Sequence, residues 1–203
     1  MPAIGYSRYQ SVTTALYDKK GLSHYLLRVP TSRYILPLVN FVRDKQIVEV
    51  GIGTGYYSKF FQKNRNKITG VDVNPHLCPP EFSVVEASAS DFARHITTPH
   101  DMIVSFWMTE YLNREELFSF LRESRSVLAQ QSGAIFFTII GYGIGGWFYT
   151  TLAWKLRKVV KYMYSEVEVL EMMDELGYSD IRVFPVRLWL GIPFAYVFEA
   201  RIA

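Results

Sequence analysis

Between the β-branched run at residues 47–50 and a helix-compatible stretch that begins at Tyr56, the chain reads Gly51-Ile-Gly53-Thr-Gly55, three glycines alternating over five positions. A glycine inside a helix or strand costs about 0.5–1 kcal/mol relative to alanine, so such a cluster marks a place where neither element continues. There the backbone turns tightly or comes close to something else. A turn of this kind between a strand and a helix belongs to strand–helix–strand units, which build parallel sheets covered by helices.

The rest of the sequence repeats that alternation. Thr31 or Ser32 is placed to cap a helix running to about Arg43, and Ile-Val-Glu-Val at 47–50 has the unbroken apolar character of a buried parallel strand. A helix is expected at 56–64 and a strand at 68–73, with further strands at 83–86, 102–106 and 134–140 and a helix at about 114–128. Ser165 with Glu168 is a capping-box pair for a helix that Gly177 ends. Two strands, 181–186 and 194–202, close the chain through a connection short enough for an antiparallel return.

The predicted fold is therefore α/β. Residues 1–203 are read as one doubly wound, Rossmann-like domain with a mostly parallel seven-stranded sheet, an antiparallel C-terminal strand and helices on both faces. Residues 1–30, rich in Tyr and basic side chains, form an N-terminal arm ending at Pro30, and 141–164 form an insert after the fifth strand.

In a doubly wound sheet, ligands bind beyond the carboxyl ends of the strands where strand order reverses, and the first strand-to-helix turn lies there. Glycines at 51, 53 and 55 let that turn approach a ligand closely, and the helix after it offers free N–H groups. The second strand carries Asp72, 21 residues after Gly51, where a carboxylate can accept hydrogen bonds from both hydroxyls of a ribose.

These residues resemble the motifs of the class I S-adenosylmethionine-dependent methyltransferases. The family's first motif, an acid followed by G-x-G-x-G, is similar to Glu49-Val-Gly51-Ile-Gly53-Thr-Gly55, and its ribose-binding acid matches Asp72 in Gly-Val-Asp-Val-Asn-Pro. Its third motif, Gly-Asp-Ala, stands as Ala87-Ser88-Ala89, which leaves the adenine contact to Ser88 with Ala89 or to Asp91. Its fourth resembles residues 101–112, where Phe106, Trp107 and Met108 would stand beside the ligand, Phe106 and Trp107 flanking the sulfonium, and its closing pattern is similar to 171–203. The resemblance implies a methyltransferase (EC 2.1.1.-) that takes S-adenosylmethionine and releases S-adenosylhomocysteine. It implies that the glycines position the methionyl part and that Glu49 helps orient its amine.

The acceptor is less sharply written. An aromatic fraction of 16% favours a small apolar, aromatic or lipid-like acceptor, and a net charge of +3 is too mild to argue for nucleic acid. Tyr6, Tyr9 and Tyr17 in the arm are candidates for a lid over it, and Trp107 and Trp147 for its walls. If a hydroxyl is methylated, a base is needed within hydrogen-bond reach, and Glu110, Tyr111 and His24 are the candidates. Two alternatives stay open: a non-catalytic partner or sensor that binds the cofactor, and an RNA-modifying methyltransferase.

Other features carry less. Gly141, Gly143 and Gly146 spell G-x-G-x-x-G, but after the fifth strand and with Lys161 where a ribose-binding acid would be wanted. The Cys78-Pro79 pair follows the second strand, whereas the nucleophile of cytosine-C5 methyltransferases follows the fourth. The residues 105–111, Ser-Phe-Trp-Met-Thr-Glu-Tyr, lack the Asp/Asn-Pro-Pro-Tyr turn used on exocyclic amines. His24, His76, His95 and His100 show no ligand spacing, so no metal is predicted.

Residues 147–164 read as one helix with Phe148, Tyr149, Leu152, Ala153, Leu156, Val159, Val160 and Met163 on one arc. Lys155, Arg157, Lys158 and Lys161, with Trp147 and Trp154, fall on the other, a pattern suited to peripheral membrane contact. The uncharged stretch 126–154 is broken by glutamines and glycines, short of the roughly 20 apolar residues of a membrane span. A lone cysteine and the lack of a signal-like opening lead to the expectation of a cytoplasmic protein, free or peripheral at a membrane, with oligomerisation left open.

Overall fold

The computed structural model describes residues 29–129, 132–157, 160–187 and 191–202. Helix α1 (Val29–Phe41) leads into β1 (Gln46–Val50), the short helix α2 (Ser58–Lys63), β2 (Lys67–Asp72), β3 (Ser83–Glu86) and β4 (Met102–Ser105). Then come α3 (Arg114–Val127), β5 (Ala134–Ile140), α4 (Ile144–Arg157), α5 (Glu166–Glu175), β6 (Tyr178–Arg187) and β7 (Pro193–Ile202).

The strands form one seven-stranded sheet in the order β3-β2-β1-β4-β5-β7-β6. β1 pairs in parallel with β2, Ile47 opposite Ile68, and on its other edge with β4, Ile47 opposite Met102. β7 runs antiparallel between β5 and β6. Strand order reverses between β1 and β4, and the crevice at their carboxyl ends is where the glycine turn emerges.

Burial on both faces explains why these strands do not alternate apolar with polar residues. On one face Val48, Val50, Ile103 and Phe137 pack with Leu117, Phe120 and Leu121 of α3 and Val169, Met172 and Met173 of α5. On the other, Ile47, Met102, Val104 and Phe136 pack with Ile35 and Val39 of α1 and Phe61 of α2. Capping boxes start α3 (Asn113 with Glu116) and α5 (Ser165 with Glu168), and Gly177 closes the latter at φ 72°.

Three local expectations need correction. The chain is already helical at Val29, so Thr31 and Ser32 lie inside α1, with Pro30 in the first turn, where its missing N–H costs nothing. The glycine turn extends to Tyr57, which shortens the next helix to Ser58–Lys63. The predicted helix 147–164 instead begins at Ile144 and ends at Arg157, and Lys161 belongs not to a solvated basic face but to the protein interior. On that stretch Lys158 and Val159 lie outside the described residues, as do the side chains of Leu152, Ala153, Trp154, Leu156 and Arg157. Among the described residues no helix is long and apolar enough to cross a membrane.

Candidate active site

Gly51, Gly53 and Gly55 all take left-handed backbone conformations, at φ 77°, 50° and 65°, which side chains rarely adopt. A Cβ on Gly51 would also collide with Met108, and one on Gly55 would stand 2.9 Å from the ring of Phe82. The turn is bonded to the next strand: Gly51 N donates to Val71 O at 2.7 Å and Gly53 N to Asp72 Oδ2 at 2.9 Å. Asn74 N donates to the other oxygen of Asp72 at 2.8 Å.

A cavity of about 160 Å³ opens beside this turn. Gly51, Asp72 and Val73 line one side, Ala87, Ser88 and Ala89 a second, and Met108, Tyr111 and Leu112 a third. Its walls are apolar, with the Asp72 carboxylate as the acidic group. Burial raises the Asp72 carboxyl above its ordinary value, while the two amides that donate to it work the other way.

Glu49 lies in β1 behind the turn, 3% exposed, and accepts a short hydrogen bond from the Ser58 hydroxyl. Burial pushes its carboxyl up to about 8; Ser58 lowers it, and the charge of Asp72 raises it further. At neutral pH it is largely protonated.

The exit from β4 departs from expectation. Phe106 is buried against Tyr57, ring centres 4.9 Å apart, and does not reach the cavity. Trp107 takes φ 62°, unusual for a bulky residue, and is held there by Thr138 Oγ1, which accepts from its backbone N at 2.7 Å. Its indole stacks on Phe194 at 5.8 Å and donates to Tyr57 Oη at 3.2 Å, facing away from the cavity. That reversal turns Met108, not Phe106 or Trp107, toward the glycines.

Glu110 follows, 1% exposed, and pairs with Lys161 at 2.7 Å. Tyr111 lines the cavity, and the Lys161 ammonium lies 4.5 Å from its ring centre. Burial works to lower the Lys161 ammonium, but Glu110, Tyr111 and Tyr149 together more than reverse it, so the lysine stays charged.

The remaining candidates scatter. Asp91 pairs with Arg94 at 2.9 Å and is not on the cavity wall. Trp147 is 61% exposed, on the outer face of α4 together with Phe148 at 58%. Tyr6, Tyr9, Tyr17 and His24 lie outside the described residues. Cys78 is half-buried after the short turn at Pro75–Leu77, and burial pushes its thiol up to about 12. The glycines at 141 and 146 serve close packing, since a Cβ there would collide with the ring of Tyr196 and with the carbonyl of Gly141, whereas Gly143, at φ 131°, faces open space.

Solved structures share this architecture. Magnesium protoporphyrin IX methyltransferase from Synechocystis PCC 6803, with bound S-adenosylhomocysteine, superposes at a TM-score of 0.70 over 98% of this chain and 94% of its own, at 12% identity. The 1,6-didemethyltoxoflavin-N1-methyltransferase of Burkholderia thailandensis gives 0.65 over 100% and 92%, at 13% identity. At these identities the likeness is one of fold. Residues 48–137, from β1 to β5, match the family model of a methyltransferase domain. The chain therefore carries a methyltransferase domain over residues 48–137, in the fold of S-adenosylmethionine-dependent methyltransferases.

No curated protein matches the sequence. A TehB-like methyltransferase from Corynebacterium glutamicum shares the fold at a TM-score of 0.65, 18% identity, with 97% of each chain covered. The cavity suits an adenosyl group: it is an apolar slot with an acid at one edge and Gly51 in its wall, where a Cβ would collide with Met108. Of the residues expected beside the ligand after β4, Met108 lines the cavity; sequence reasoning missed Val73 and Leu112 in its walls, and Ser58 as the partner of Glu49. The turn at Trp107 carries no sequence signal. A lysine set in Val-Val-Lys-Tyr-Met-Tyr did offer one for Lys161.

Proposed function

We propose that this methyltransferase acts on a small acceptor, apolar and aromatic or lipid-like, placed between the exits of β4 and β5. The observation that carries the reading is the apolar surface after β5: Tyr142, Ile144, Trp147 and Phe148 are 57%, 80%, 61% and 58% exposed on consecutive turns. An exposed group of large apolar side chains suits a partner of the same kind. Two solved structures of the same fold are named as methyltransferases of small molecules, magnesium protoporphyrin IX and 1,6-didemethyltoxoflavin, which supports a small acceptor.

In this reading Gly51, Gly53 and Gly55 receive the methionyl part, with Glu49 behind them, and Asp72 accepts from the ribose hydroxyls. Ser88 and Ala89 edge the adenine. When bound, the cofactor supplies a methyl group on a sulfonium. An in-line acceptor would take that methyl as the carbon–sulfur bond broke, losing its proton to a base or to water and leaving a thioether. The leaving group is already good, so alignment and exclusion of water are the protein's main tasks. Tyr111, on the cavity wall, is the candidate base for a hydroxyl acceptor, since Glu110 is buried in its ion pair with Lys161.

Calorimetric titration with S-adenosylmethionine and S-adenosylhomocysteine comes first, followed by transfer of labelled methyl to flat aromatic acceptors, phospholipid vesicles and RNA. Transfer to the first class supports the reading. Binding without transfer to any class would favour a cofactor-binding partner or sensor. Salt-sensitive transfer to RNA would replace the small acceptor.

A further inference from the structure

Lys161 Nζ is enclosed. It bonds to Glu110 Oε1 at 2.7 Å and to Tyr149 Oη at 2.9 Å, and lies 4.5 Å and 4.7 Å from the ring centres of Tyr111 and Tyr149. The lysine and glutamate side chains are 3% and 1% exposed. Burying two charges costs several kcal/mol per ion, and apolar residues of similar volume often stabilise a protein as well or better. Stability alone is therefore a poor account of the pair.

Its place in the fold supplies a better one. Glu110 sits in the turn Thr109–Tyr111, between Met108 and Tyr111, both on the cavity wall. The segment around Lys161 is bonded to the same wall on either side: Tyr162 N donates to Glu110 O at 2.7 Å, and the Tyr164 hydroxyl to Leu112 O at 2.6 Å. Tyr164 N also donates to Ile140 O at 2.9 Å, at the end of β5. The ammonium thus joins the segment after α4 to the third wall of the cavity.

We propose that Lys161 is a positioning residue for the cofactor: through Glu110 and the face of Tyr111 it holds the Met108–Leu112 wall where the bound cofactor needs it. The insert after β5 is then part of the cofactor site as well as of the acceptor side. This rests on the cavity being the S-adenosylmethionine site.

The test is titration with S-adenosylhomocysteine, well below the unfolding temperature, of the wild type, Lys161→Met and the double variant Lys161→Met/Glu110→Leu, with thermal midpoints for each. Lys161→Met is expected to weaken binding by about tenfold or more, the scale of one charged hydrogen bond. The double variant leaves no charge unpaired and regains the midpoint but not the affinity. Wild-type affinity in the double variant, or in a folded Lys161→Met, overturns the proposal and leaves the pair a structural one. Should Lys161→Met fail to fold, the double variant decides alone. A wild type that does not bind S-adenosylhomocysteine overturns the cofactor reading beneath the proposal, a different result from equal binding by all three proteins.

Discussion

The amide of Gly53 donates to the carboxylate of Asp72 at 2.9 Å, so the residue that ends β2 also fixes the turn that ends β1. One acid thus serves the backbone and, in the proposed function, the ribose.

Asp72→Ala leaves the Gly53 and Asn74 amides without their acceptor. It is expected to destabilise the protein by about 2 kcal/mol and to weaken S-adenosylhomocysteine by a similar amount. Asp72→Asn keeps one acceptor oxygen, so it should recover part of the stability and less of the affinity. Chemical denaturation and calorimetric titration separate the two effects.

Glu49 makes stability depend on pH in a direction opposite to that of an ion-paired acid. Its carboxyl titrates at about 8 in the folded protein against 4.5 ordinarily, so between those values the folded chain keeps a proton that the unfolded chain has released. The contribution is whole below 4.5 and is lost as the pH rises through about 8. Denaturation midpoints measured from about pH 5 to about pH 9 should fall, and Glu49→Gln should flatten the slope.

Gly51→Ala and Gly143→Ala distinguish collision from strain. Both glycines have positive φ, 77° and 131°, but a Cβ at 51 meets Met108 whereas one at 143 has nothing within 4 Å. Gly143→Ala should cost about 1–3 kcal/mol from the backbone alone and leave cofactor affinity unchanged. Gly51→Ala should cost more and abolish binding, as titration with S-adenosylhomocysteine would show.

Trp147→Ser and Phe148→Ser remove side chains that are 61% and 58% exposed, so the thermal midpoint should barely move. If the acceptor is lipid-like, binding to phospholipid vesicles should drop in both. Unchanged partitioning in a sedimentation assay would separate this surface from lipid.

The sheet was legible because its strands are continuous apolar runs cut by glycines and caps: β3 (Ser83–Glu86) and β5 (Ala134–Ile140) have the predicted bounds. Asp72 and the glycines were legible because their spacing is fixed by backbone geometry. What lay after β4 was not. The direction of Met108 depends on Trp107 taking φ 62°, which Thr138 and Phe194 impose from elsewhere in the chain. Lys161 was misread for a related reason, since helical periodicity cannot show that the helix stops at Arg157 and that an acid 51 positions away awaits the charge.

The buried pairing of Glu110 with Lys161 bears on how such a protein can diversify. Residues after the fifth strand are a natural place for new acceptor specificities to arise, because they can change while the glycine turn and Asp72 stay as they are. Here that freedom has a tether. Any exchanged segment would have to bring its own counter-ion to the same point in space, or lose Glu110 at the same step, so the two positions are expected to evolve as a linked pair.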